Sequence, residues 1–173
     1  MGRRHFVIVM LVIGTCTLPV AAKQEIHDTQ HRFSITVPDG WTIKPGVASG
    51  TIFKAVYRDP KNRLAMITIN KQPIRTGEKL PSPAGLHKTL SAMPFVATTR
   101  LLDHGNASIS GVPVVWIVLA TEYRTGFSQI ERRYLFYRDS YLYLVLATTD
   151  ADQSYYSSLA PVLHSAVLSI VFR

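Results

Sequence analysis

Two runs constrain this chain more than any other feature: VPVVWIVLA at 112–120 and YLYLVLATT at 141–149. In an extended strand, successive side chains point to opposite sides. Val114, Trp116 and Val118 therefore face one way, and Val115, Ile117 and Leu119 the other. Tyr141, Tyr143 and Val145 oppose Leu142, Leu144 and Leu146 in the same manner. Strands that are apolar on both sides must be covered on both sides. The chain is thus expected to build a sheet with a packed layer against each face.

The remaining strands are read from alternation and turn chemistry. Phe33, Ile35 and Val37 alternate with polar residues over 32–37, and Pro38-Asp39-Gly40 ends that strand. Trp41 follows the turn at once and is expected to close the end of the core beneath it, because an isolated large aromatic is more often buried than displayed. Segments 51–58 and 64–70 flank Asp59-Pro60-Lys61-Asn62, whose Asp and Pro suit the first two positions of a type I turn, so they form a hairpin. Long strands over 107–124, 128–138 and 141–149 are joined by reversals at Thr125-Gly126 and Asp139-Ser140, giving a three-strand meander.

Two segments read as helices. Ser82 can cap a helix over 82–93, with Pro83 at its first position, Leu86, Leu90 and Met93 on one face, and Pro94 as its stop. Ser157 or Ser158 is expected to cap the second. Its apolar stripe is Leu159, Val162, Leu163, Ala166 and Ile170, and Pro161 would lie in its first turn.

Ahead of these elements, Arg3 and Arg4 precede an apolar run over 6–14 too short for a bilayer, and Val20-Ala21-Ala22 offers small residues for cleavage. Residues 1–22 are read as a secretory signal peptide, with a periplasmic or secreted product starting near Lys23. Residues 23–30 are read as a flexible polar segment and 31–173 as one domain. Cys16 is the only cysteine and would leave with the leader, so stability must come from the core rather than from disulfides.

Removing Arg3 and Arg4 lowers the formal charge from +8 to +6. A basic exported protein suits an acidic protein face or anionic lipid, and its compartment argues against nucleic acid. Among arginines, Arg124, Arg132, Arg133 and Arg138 cluster with Tyr134, beside Glu122, Glu131, Tyr123 and Tyr137, on neighbouring strands. Arg and Tyr are enriched where interfaces concentrate their binding energy. Arg124, Arg132, Arg133, Tyr134 and Arg138 are therefore the partner-binding candidates, against the alternative of a salt-bridged solvent face.

No catalytic or metal-binding constellation emerges. His27 and His31 are four apart but sit in a polar segment without a third ligand nearby. Asp103-His104 precedes Gly105-Asn106 and is read as a solvated loop. The stretch SISG at 108–111 lacks the nucleophile-elbow pattern, and there is no H-E-x-x-H or phosphate-binding glycine loop. The chain is read as a non-enzyme that needs no cofactor or metal.

The sequence also resembles the PsbP-like superfamily. The resemblance rests on FSITVPDGW at 33–41, with GVPVVWIVLATEY at 111–123, YLYLVLATTD at 141–150 and LHSAVLSIVF at 163–172 in the matching order. That superfamily includes the extrinsic PsbP proteins of photosystem II, a Ran-binding import factor, and exported bacterial proteins of the DcrB and LpqN type. The resemblance implies an α+β fold, an antiparallel sheet between helices in an α/β/α sandwich. It implies binding of proteins, ions or lipids rather than catalysis, and no family metal ligand maps onto this chain residue by residue. The resulting expectation is a monomeric binding or assembly module acting on an envelope or membrane-associated complex. The alternative is a carrier of a lipid or other apolar ligand held between sheet and helix.

Overall fold

A computed structural model describes residues 23–44, 49–74 and 79–173. The leader expected over 1–22, with Cys16, lies outside the described residues. The strands are β1 (Lys23–Asp28), β2 (Phe33–Pro38), β3 (Thr42–Lys44), β4 (Thr51–Arg58) and β5 (Leu64–Pro73). After helix α1 (Pro83–Ser91) come β6 (Val96–Ile109), β7 (Val112–Tyr123), β8 (Ser128–Arg138) and β9 (Tyr141–Asp150). Helix α2 (Gln153–Leu168) and the short β10 (Val171–Phe172) end the chain.

Among the described residues, seven strands form one sheet in the order β3-β4-β5-β9-β8-β7-β6, and three form another in the order β1-β2-β10. All the pairings are antiparallel. The domain is α+β, a mostly antiparallel sheet with two helices. The double-sided apolar strands account for both coverings. Ile117 and Leu119 of β7 pack with Leu90 of α1, whereas Val118 packs with Ile130 and with Tyr156 of α2. On the α2 side, Leu163, Ala166 and Val167 fill the main core together with Phe33, Ile35 and Val37 of β2 and Tyr134, Phe136, Tyr143 and Val145 of the large sheet. The second sheet therefore shares the work of covering with α2, a layer that sequence periodicity did not separate from the first.

Several expectations need correction. Residues 23–28 are not loose: they form β1, paired to β2 with Ile26 opposite Ile35, and Ile26 packs on the core. A polar strand of this kind suits an edge, where one face and one row of backbone groups meet water. The segment 107–124 is not one strand. It turns at Ser110-Gly111, both at positive φ (52° and 78°), so β6 and β7 form a hairpin and the meander has four strands. Asp103-His104 accordingly lies within β6, in a strand with an irregularity between Leu101 and Asp103, and not in a loop. Asp139 and Ser140 also take positive φ (50° and 63°), the conformation of a two-residue turn matched to strand twist.

Helix α1 starts as its sequence indicates: Ser82 Oγ accepts from the Gly85 amide at 3.1 Å, and Pro83 opens the helix. Helix α2 starts earlier than expected. Asp152, not Ser157 or Ser158, caps it by accepting from the Ser154 and Tyr155 amides at 2.9 and 3.0 Å. Pro161 then falls inside the helix on its exposed side, beside exposed Ser157 and Val162. A proline there removes the bond to the Ser157 carbonyl, but that carbonyl belongs to the wetter side of the helix. At the other end, Ser169 latches α2 to β2: its Oγ accepts from the Thr36 amide at 2.8 Å.

Trp41 is buried, 7% exposed, and stacks on Tyr57 with ring centroids 5.8 Å apart. It closes the core as expected.

Candidate functional site

The alternation of β8 divides four of the five candidates, Arg132, Arg133, Tyr134 and Arg138, between two faces. Arg132 is paired with Val118 and Tyr134 with Trp116, on the α2 side, while Arg133 is paired with Ile117 on the α1 side. The patch expected of Arg124, Arg132, Arg133, Tyr134 and Arg138 is therefore not a single surface. A run of adjacent residues in a strand cannot present all its side chains to one partner.

Each member has its own setting. Tyr134 is 0% exposed, and its hydroxyl shares a 2.7 Å hydrogen bond with His164 Nδ1. Burial pushes the Tyr134 phenol up to about 12, against the pull of the Arg132 guanidinium. Arg133 grips Glu131 with two nitrogens, Nε at 2.8 Å and Nη2 at 2.6 Å. Glu131 is only 1% exposed, and its second oxygen accepts from Gln129 Nε2 at 3.0 Å. Gln129 also reaches the Tyr123 hydroxyl at 2.8 Å. Burial raises the Tyr123 phenol, and the Glu131 charge adds to the effect. Arg138 pairs with Asp139 at 2.9 Å and lies 4.9 Å over the Phe172 ring. These contacts make Arg133 and Arg138 parts of local pairs.

Arg124 is different. It sits in the β7–β8 turn, exposed, with Nε donating to the Pro94 carbonyl at 2.8 Å. Its backbone amide bonds the Phe95 carbonyl at 3.0 Å, tying that turn to the start of β6. Three aromatic rings gather at this junction. Tyr123 stacks between Phe95 and Phe127, at centroid distances of 6.2 and 5.9 Å and interplanar angles of 16° and 24°. Phe95 is 56% exposed and Phe127 48%. The Tyr123 amide bonds the Phe127 carbonyl at 2.8 Å, and Gly126 takes φ 82° to close the turn. Through Tyr123 the ladder rests on the buried Gln129–Glu131–Arg133 network, so its central ring is anchored while its outer rings meet water.

Sequence reasoning singled out Arg124 as a candidate but not Phe95 or Phe127. The signal was present: each aromatic directly follows a chain breaker, Pro94 or Gly126. What pattern reading lacked was the pairing that brings 95 beside 124.

The histidines offer no metal centre: among the described residues, no group of three or more His, Cys, Asp or Glu is arranged to hold a metal ion. His31 instead shares a 2.9 Å contact with Asp28, closing the β1–β2 turn. No helix of the described residues is long and apolar enough to cross a membrane.

No family model matches the chain, and no curated protein matches it in sequence. Solved structures do match in shape. The cyanobacterial PsbP of Synechocystis superposes with a TM-score of 0.63 at 12% identity, over 93% of this chain and 99% of its own. The Ran-binding protein Mog1p of Saccharomyces cerevisiae gives 0.61 at 11% identity, over 88% of this chain and 96% of its own. LpqN of Mycobacterium tuberculosis, described as involved in cell envelope biogenesis, gives 0.52 at 13% identity, over 87% and 90%. The chain has the PsbP-like fold, as the FSITVPDGW opening and the order of its elements implied.

Proposed function

We propose that this chain is an exported, non-enzymatic binding module that docks on an acidic protein surface of an envelope or membrane-associated complex. The docking face is the Phe95–Tyr123–Phe127 ladder with Arg124. The observation that carries this reading is the exposed stack itself: two phenylalanines, each about half exposed, held at fixed spacing by backbone hydrogen bonds. Rigid aromatic side chains lose little freedom on binding, and an adjacent arginine adds charge-assisted contacts. The formal charge, +8 for the full sequence and +6 without Arg3 and Arg4, favours an acidic partner. Two proteins of this fold have names that point the same way, one to a protein ligand and one to the cell envelope.

The alternative, a carrier of an apolar ligand between sheet and helix, is less well supported. The space beneath α2 is filled by Leu163, Ala166 and Val167 packed against Phe33, Tyr134 and Val145.

The test is a photo-crosslinking residue placed at position 127 or, as a control, at exposed Val162 on α2. In envelope extract, position 127 should form one dominant protein adduct and position 162 none. Phe95→Ser/Phe127→Ser should lower partner retention by roughly tenfold or more, the effect of losing a hot spot, with an unchanged circular dichroism spectrum. Equal crosslinking at both positions, or undiminished retention, would reject this face.

A further inference from the structure

The α2 side of the sheet, opposite the aromatic ladder, contains an arginine whose surroundings are unusual. Arg132 is partly buried, with its guanidinium 4.4 Å over the Trp116 ring. None of the ion pairs among the described residues includes it. Its Nε is buried and makes no hydrogen bond, and the same is true of Tyr156 Oη, on a residue only 7% exposed. The guanidinium lies beside the Tyr134 and Tyr156 hydroxyls and favours their ionised forms against burial, although neither Arg132 Nε nor Tyr156 Oη reaches full hydrogen-bond geometry with a partner. Buried charges and hydroxyls are ordinarily partnered, because leaving them unpaired is unfavourable.

The neighbours sharpen the chemistry. His164 stacks on Tyr134 at 5.8 Å and meets Trp116 edge-on at 6.3 Å. Burial, reinforced by the Arg132 charge, lowers its basicity. The floor is built for this arrangement: Gly105 lies opposite Trp116, and a Cβ there would fall 2.6 Å from Trp116 Cζ2. The indole therefore lies flat on the glycine backbone, held where the guanidinium can rest on it.

We propose that Arg132 and Tyr156, backed by Trp116, form a binding site for a single carboxylate group. A carboxylate offers two oxygens, one for the guanidinium nitrogens and one for the Tyr156 hydroxyl, which donates. A dianion such as phosphate is disfavoured by Asp103, whose charge reaches the Tyr156 phenol from the β6 edge. The carboxylate can come from a small free acid or from an acidic side chain of a bound peptide. The site stands apart from the docking ladder and does not depend on it.

The experiment follows the indole N–H resonances of the purified protein by NMR. Sodium acetate and a terminally blocked Gly-Asp-Gly peptide are titrated separately, with sodium chloride holding ionic strength constant. The Trp116 resonance should shift saturably, while Trp41, stacked on Tyr57 elsewhere in the core, serves as the internal control. Tighter binding of the peptide assigns the site to a partner's carboxylate, and equal or tighter binding of acetate assigns it to a small acid. Tyr156→Phe should weaken binding by roughly tenfold, the effect of one hydrogen bond to a charged group, without lowering thermal stability. Arg132→Lys keeps the charge but loses the planar fork and should weaken binding as well. Absence of a saturable shift with either probe, or an affinity unchanged by Tyr156→Phe, would overturn the proposal.

Discussion

At the scale of single residues, Trp41 and Phe127 share one local pattern and meet opposite fates. Each follows a glycine-closed turn, Gly40 at φ 82° and Gly126 at φ 82°. Trp41 finds Tyr57 across the sheet, and its carbonyl accepts from Gln24 of β1, so it is sealed. Phe127 stacks on Tyr123 and stays half exposed. Arg132 and Arg133 make the same point through alternation. Reversing both charges would not be a mild surface change, because Arg133→Glu places a second carboxylate against buried Glu131. Removing one partner of a buried ion pair is strongly destabilising, whereas replacing both by apolar groups is often nearly neutral. Arg133→Met should therefore lower unfolding free energy by about 3–5 kcal/mol, and Glu131→Leu/Arg133→Met should recover most of the loss. Urea unfolding of the two variants checks this; equal stability of both would mean the pair contributes little.

At the scale of elements, most strands were legible because period-two alternation and turn dipeptides reinforce each other. Segments 51–58 and 128–138 coincide with β4 and β8. The differences fall where two turn signals compete: Ser110-Gly111 makes the turn, whereas Gly105-Asn106, an equally turn-like dipeptide, lies within β6. Gly105 is instead a strand residue chosen for the close approach of Trp116. The start of α2 was misplaced for a similar reason, since the serines near Pro161 concealed Asp152. That carboxylate carries a prediction. Bonds from the Ser154 hydroxyl and the Tyr155 amide lead in lowering its pKa from 3.8 to about 2, outweighing the opposing effect of desolvation. A group whose folded pKa is depressed stabilises fully above its ordinary value and loses that contribution as pH falls through the folded one. Thermal stability of the native protein should thus drop between about pH 4 and pH 2, and the drop should be smaller in Asp152→Asn, which keeps a capping oxygen but cannot titrate. Melting curves across that range decide it, and parallel losses in both proteins would refute the cap's role.

At the scale of the whole molecule, the docking proposed above would be made in two steps, with attraction by the basic charge first and burial of the exposed Phe95–Tyr123–Phe127 rings second. Arg124→Glu should slow association and steepen no dissociation, and added salt should reduce the native rate toward the variant's, since exposed charges are screened over roughly 8 Å at physiological ionic strength. Surface-binding kinetics at two salt concentrations, run with the crosslinked partner, measure this; a salt-independent rate would remove the charge from the account. The sequence by itself made legible the α+β class, the apolar character of both sheet faces, the 51–58/64–70 hairpin and the closure of the core by Trp41, because these follow from side-chain alternation and local turn chemistry. It did not determine which arginines share a surface, nor that residues 23–28 would join a second sheet. Those depend on pairings between segments far apart in the chain, such as Phe33 of β2 with Phe172 of β10, which builds the sheet that β1 joins, and the Phe95 carbonyl with the Arg124 amide. Only the tertiary structure, by choosing those neighbours, decided that Phe95 and Phe127 face water while Arg132 sits beneath α2 with a hydroxyl that has no partner.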